Sequence, residues 1–255
     1  MAKQVPQANR MSEDEMTQTH VATLISGRKD WRTALAALRR LLADADDTAQ
    51  VFRIMRALNA GVAKAGYDRL LRTPGGGEIA CRQVELAERL SEPGAVSGYA
   101  AGSVGAAYRS FLEETGYSAM GLAAISRSDD PLRDARHPYA WYGRRTRDVH
   151  DIWHILTGYR ADDPLGEACL TAFSYAQTGG LGWAAIAAGA ALQNVSSAAG
   201  RVKVRAIWEG YRHGRRAAWL LGEEYELLLA EPLEAARGRL RIAEPVAYLA
   251  ASAAI

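Results

Sequence analysis

The sequence predicts an all-α fold, and three observations carry the prediction. Apolar residues recur at three- and four-residue spacing along most of the chain. Sustained alternation of apolar and polar residues bounded by hairpin turns, the mark of strands, is absent. Alanine is abundant alongside leucine and arginine, which favours helix wherever packing does not decide. With 255 residues, 49% hydrophobic and 24% charged, the chain can bury a sizeable core, and wholesale disorder is excluded. The expected organisation is a disordered polar arm over 1–20, with the acidic cluster Ser12-Glu13-Asp14-Glu15, and a single domain over 21–255 of roughly eight to ten helices.

The first expected helix begins after Asp30, with Trp31, Leu35, Leu38, Leu41 and Leu42 on one side and Arg32, Arg39, Arg40 and Asp44 on the other. A second runs from Thr48 through Val51, Phe52, Met55 and Leu58. Thr73-Pro74-Gly75-Gly76-Gly77 reads as a loop, followed by a third helix over about 79–90. Residues 93–105 are turn-rich, and a helix follows through Tyr108, Phe111 and Leu112. Charged residues with Pro131 and Pro138 make 126–138 a surface connection. One helix is then expected over about 139–156, others over 164–178, 181–195, 200–221 and 222–230, and a short one over 231–240 to close the fold.

Residues 168–200 contain no charge. A membrane-spanning helix needs about 20 apolar residues. The apolar centre here, Leu181 to Leu192, is interrupted by Gly182 and Gly189 and is too short to span. A buried helical hairpin accounts for the segment; an apolar tunnel or membrane-facing surface for a lipid is the functional alternative.

The net charge of +2 argues against a dedicated nucleic-acid binder. Two cysteines, Cys81 and Cys169, build no disulfide framework and fit a reducing compartment. The chemistry concentrates in Arg147-Asp148-Val149-His150-Asp151-Ile152-Trp153-His154. At i and i+4 on a helix, His150 and His154 share a face, and Asp151 reaches the same centre from the flank. Two imidazoles and a carboxylate suit zinc or another borderline divalent ion. Glu167 is the candidate fourth ligand. Gly158 offers a helix end, and Asp163-Pro164 a helix start, so a helix–turn–helix metal site would fold Glu167 back towards His154. Alternatively Glu167 is a helix-dipole partner, and the histidines are ordinary hydrogen-bonded residues.

Other metal and phosphate motifs fail. Asp151 replaces the glutamate that HExxH requires, no second His-Asp pair exists, and neither cysteine has a CxxC partner. GxxxxGK[ST] and GxSxG are absent, and Gly180-Leu181-Gly182-Trp183-Ala184-Ala185 lacks the preceding strand of a dinucleotide site. Two basic clusters, Arg144/Arg145/Arg147 and Arg212/Arg215/Arg216, read as solvated helix faces. The sharper alternative is that Arg144 or Arg147 holds a substrate carboxylate or phosphate near the metal.

These residues resemble the ubiquinone (coenzyme Q) biosynthesis protein four family. The match is carried by His150-Asp151-x-x-His154 with Leu165-Gly166-Glu167, by Gly102-Ser103-Val104-Gly105-x-x-Tyr108-x-x-Phe111, and by Gly214-Arg215-Arg216-Ala217, Tyr225-Glu226 and Pro232-Leu233-Glu234-x-x-Arg237. It covers about 85–245; the first 80 residues show no placeable match. Between His154 and Glu167 this chain has one residue more than the family pattern, in the turn Gly158–Pro164.

The resemblance implies an all-helical protein holding a divalent metal, with zinc the expected ion and His150, Asp151, His154 and Glu167 its ligands. It implies a groove for a prenylated ligand, and metal-dependent loss of the ring carboxyl group, oxidative or not, from a polyprenylated hydroxybenzoate. The catalytic residues would then be His150, Asp151, His154 and Arg147. It also implies other ubiquinone-biosynthesis proteins as partners and peripheral membrane contact, and it leaves a homodimer open. The alternative is a non-catalytic lipid-binding organiser whose metal is structural. Because the arm carries Glu13, Asp14 and Glu15, unlike a mitochondrial presequence, a cytoplasmic protein at the inner face of the cell membrane is expected.

Overall fold

The structure, a computed structural model, describes residues 22, 27–44, 46–129 and 135–253. The expected arm over 1–20 lies outside the described residues. Asp30 starts α1 (Trp31–Ala43) by accepting hydrogen bonds from the Thr33 backbone N–H at 3.0 Å and its hydroxyl at 2.6 Å. Helix α2 (Thr48–Leu58) returns antiparallel to it. Then come α3 (Val62–Leu70), α4 (Gly76–Arg82), α5 (Leu86–Ser91), α6 (Val104–Thr115) and α7 (Gly121–Asp129). Helices α8 (Pro138–Asp148), α9 (His150–Thr157), α10 (Pro164–Thr178), α11 (Leu181–Asn194) and α12 (Ala198–Arg216) form the middle of the fold. A 3-10 turn at Leu220–Gly222 leads to α13 (Tyr225–Ala230), α14 (Leu233–Leu240) and α15 (Val246–Ser252).

The all-α class holds among the described residues, but the helices are more numerous and shorter than expected. The segment expected as one helix over 79–90 is two, because Gln83 takes a left-handed conformation (φ 44°) that ends α4. The helix expected over 139–156 breaks at Val149, whose ψ of −7° tightens the turn between α8 and α9. Helix α12 stops at Arg216, where Ala217 turns extended. The surface connection is helical up to Asp129. Helix α15, not α14, comes last, and α3 was not foreseen; both are short, without a long apolar stripe.

Helix α10 is the centre. Leu165, Cys169, Leu170 and Phe173 are fully buried or nearly so, as a buried hairpin requires. Helix α12 approaches α10 closely because Gly210 and Gly214 present bare backbone to the carbonyls of Cys169 and Phe173. Around α10 lies the main core, with Trp141, Trp153, Tyr108 and Tyr225 at 2% exposure or less. The Trp153 indole N–H donates to the Tyr225 hydroxyl at 2.6 Å. A second, smaller apolar cluster joins α1, α2 and α11 through Ala34, Ala37, Leu41, Ile54, Leu58 and Ile186. No helix among the described residues is long and apolar enough to cross a membrane.

Segments far apart in sequence brace α9. Arg237 Nε and Nη2 donate to the carbonyls of Leu156 and Ile155, each at 2.9 Å, closing the end of α9. Glu234 holds the same guanidinium at 2.6 Å. The stretch before α6 is stitched to the start of α14: Ser103 and Pro232 form an isolated bridge, and the Leu233 N–H donates to the Gly102 carbonyl at 2.9 Å. The Gly-Ser and Pro-Leu-Glu-x-x-Arg segments therefore act as supports for the helix that bears the histidines.

Candidate metal centre

Helix α9 projects His150 and His154 from one face, with ring centroids 4.8 Å apart. Gly158, at φ 77°, ends α9. Asp163 starts α10 by accepting from the Leu165 N–H at 2.9 Å, with Pro164 in the first turn. The two helices fold back on each other and bring Glu167 over both imidazoles. Glu167 Oε1 lies 3.2 Å from His154 Nε2, and Oε2 lies 3.9 Å from His150 Nε2. One ligand atom from each of the three residues falls within 4.8 Å of the others. Ligand atoms bound tetrahedrally to zinc stand roughly 3.4 Å apart, so His154 and Glu167 already hold that spacing, and His150 would have to draw in slightly to join them.

The protonation pattern also fits. The Tyr159 carbonyl sits 2.8 Å from His154 Nδ1 and can only accept, so Nδ1 carries the hydrogen. In the neutral ring Nε2 is then a bare lone pair. It is buried, lacks a hydrogen bond, and faces the Glu167 carboxylate at 3.2 Å. Two acceptors at that distance need a cation between them, a metal ion or a proton, and a fixed Nδ1–H is how ligating histidines are oriented.

At His150 the Nδ1 atom lies 3.5 Å from Asp151 Oδ1. Asp151 thus stands on the flank, against His150, rather than in the cluster formed by His150, His154 and Glu167. Burial pulls the His150 pKa down, but its contact with Asp151 and the charges of Glu167 and Asp151 raise it overall. Burial pushes the Glu167 carboxyl up, yet His154 and then His150 hold it below its ordinary value.

The first turn of α10, just before Glu167, tolerates little change. The Gly166 α-carbon packs against the backbone carbonyl of Arg160, where a methyl group would collide with main chain. We expect Gly166→Ala to lower stability by about 1–3 kcal/mol and to displace Glu167. Urea unfolding and metal content of the purified variant check both effects.

The three arginines of α8 are buried, which overturns their reading as a solvated face. Their charges are matched within the fold instead. Arg144 binds Glu85 through Nε and Nη2, with Nη2 at 2.6 Å. Arg145 donates to the Leu221 and Glu223 carbonyls and stacks on Tyr225. Arg147 donates from Nε to Asp148 at 2.6 Å, but its buried Nη1 has no hydrogen-bond partner. Of the three, only Arg147 lines the cavity beside His150 and Asp151. Arg212, Arg215 and Arg216 are exposed, as expected.

That cavity, about 1040 Å³, runs from the His–Glu cluster between α2 and α3 on one side and α8, α10 and α11 on the other. Its walls are mainly apolar: Phe52, Met55, Ala63, Ala168, Ile186 and Ala190. Trp183 stacks on His150 (5.9 Å, 11°) and Phe111 on His154 (6.3 Å, 16°). The charge-free segment supplies one wall, while α1 and α2 contribute Leu41, Val51 and Met55 to the other. The part of α2 in this site was readable as an amphipathic helix but carried no signal for what it faces; nor did anything single out Trp183.

The family model described as coenzyme Q (ubiquinone) biosynthesis protein Coq4 matches residues 31–246, well beyond the 85–245 expected from motifs. The chain is 29% identical over 189 residues to the mitochondrial ubiquinone biosynthesis protein COQ4 homolog of Danio rerio, covering 72% of this chain and 66% of that protein. It is 28% identical over 180 residues to the homolog of Bos taurus, covering 70% and 64%. The chain thus spans just under two thirds of the length of these curated relatives. A crystal structure of a provisionally named ubiquinone biosynthesis protein from Nostoc punctiforme superposes with a TM-score of 0.59 at 19% identity, covering 84% of this chain and 99% of that one. At that identity the likeness is one of fold. With the family model spanning α1 to the start of α15, the chain belongs to the coenzyme Q (ubiquinone) biosynthesis protein Coq4 family.

Proposed function

We propose that the protein is a metal-dependent enzyme of ubiquinone biosynthesis that removes the ring carboxyl group of a polyprenylated hydroxybenzoate. The observation that supports it most is the continuity of the His–Glu cluster, Arg147 and the long apolar groove in one cavity. A ligand with an acidic aromatic head and a prenyl tail matches that sequence of surfaces.

His150, His154 and Glu167 hold a divalent ion, with zinc the expected one, and Asp151 is the adjacent carboxylate that steadies His150. The ion supplies Lewis-acid polarisation of a substrate oxygen. Arg147, tethered by Asp148, turns its remaining donors to the substrate carboxylate. Trp183 and the α2 wall exclude water from the head. When the ring–carboxyl bond breaks, carbon dioxide leaves and the electron pair stays on the ring carbon, which takes a proton. In the oxidative version molecular oxygen accepts that electron pair and leaves, with two protons, as hydrogen peroxide, and the carbon takes its hydroxyl from water. The protein works at a membrane surface, from which the substrate is drawn, in company with other enzymes of the pathway.

The test is turnover by purified, metal-loaded protein given a short-tailed prenyl hydroxybenzoate, with carbon dioxide release measured with and without oxygen. Turnover lost in Arg147→Gln is expected. A metal-loaded protein that binds the lipid without turnover would favour the organiser.

A further inference from the structure

Helix α12 carries a feature the metal centre does not use. Arg201, Arg205, Trp208, Arg212, Arg215 and Arg216 fall within an arc of about 100° on its surface. All six are exposed, and Trp208 keeps 59% of its area in solvent. None of the five arginines has an acidic partner among the described residues, whereas Arg82, Arg89, Arg144, Arg160, Arg237 and Arg239 all do. The sole carboxylate of α12, Glu209, is occupied in accepting from the Ala247 N–H at 2.8 Å. The opposite face of α12, with Ala206, Gly210 and Gly214, is packed into the protein, so the helix cannot sink into another partner.

Unpaired arginines on a fixed face seek anions. Apolar groups accompany them: Val202 is 42% exposed, and the neighbouring α15 exposes Val246 at 61% and Leu249 at 45%. A nucleic acid offers phosphates without an apolar layer beneath them. A bilayer offers both, with tryptophan favoured at the interface. We propose that the exposed face of α12 docks the protein on an anionic lipid bilayer, the arginines meeting headgroup phosphates and Trp208 entering the interface. This rests on the reading above only for the idea that the substrate is drawn from a membrane; the docking face itself shares no residue with the metal centre.

The experiment is sedimentation of the full chain with phosphatidylcholine vesicles, with and without about one third phosphatidylglycerol. Binding to the anionic vesicles alone is expected, weakening about tenfold or more as salt rises to physiological strength. Each arginine contributes about fivefold, so Arg205→Glu/Arg212→Glu lowers binding at least about 25-fold, with an unchanged melting curve. Trp208→Ala weakens binding further at high salt, where charge is screened. Parent-like binding by the double arginine variant, or indifference of the parent to anionic lipid at low salt, overturns the assignment. So does tighter binding to duplex DNA than to the vesicles under the same conditions. The same assay on His150→Ala/His154→Ala keeps the two readings apart. Its vesicle binding should match the parent's, and loss of that binding together with the metal would overturn the role given to α12.

Discussion

Purified protein is expected to hold about one divalent ion per chain, and His150→Ala/His154→Ala to hold none. The double variant removes both imidazoles and leaves Glu167 as a lone, half-exposed carboxylate, which binds such an ion weakly on its own. Turnover should fall to background with the metal. The fold should survive, because Ile152, Trp153 and Leu156 on α9 remain buried and Arg237 still closes the helix. Elemental analysis beside a melting curve reads both quantities. Metal retained by the variant would move the site away from α9. Metal lost with turnover intact would make the ion structural and end the Lewis-acid mechanism.

Ala190→Trp should impair use of long-tailed substrate while sparing the metal. Ala190 lines the groove seven residues beyond Trp183 on α11, which is about 10 Å along the helix axis. An indole there fills the path of the tail without touching His150, His154 or Glu167. The expected result is a rise of about tenfold or more in KM for a substrate with several isoprene units, and little change for one with a single unit. Metal content should equal that of the parent. Equal loss for both substrates would mean that the tail does not follow α11.

The helical class was legible because alanine-rich segments with three- and four-residue apolar spacing admit no other regular structure. The fold-back that brings Glu167 over His150 and His154 was also legible, since Gly158, Asp163 and Pro164 act through local backbone rules. What escaped was whatever depends on partners distant in sequence. Arginines at 144, 145 and 147 look solvent-seeking by type, yet Glu85, the Leu221 and Glu223 carbonyls and Asp148 make their burial tolerable. The α2 face of Val51, Phe52 and Met55 announced an apolar neighbour without saying that part of it borders a cavity. Breaks at Gln83 and Val149 arise from backbone angles that no side-chain pattern encodes.

The small cluster shared by α1, α2 and α11 lies apart from the core around α10, with the groove between them. Such an arrangement gives the chain two levels of local stability. Amides of α1 and α2 should exchange with solvent by a partial opening that leaves α10 protected, which hydrogen exchange resolved by segment would detect. The groove then needs no permanent channel wide enough for a prenyl chain. If that opening is observed, access to the groove would be set by how often α1 and α2 lift, and a bound tail, by filling the space beneath, would slow its own release.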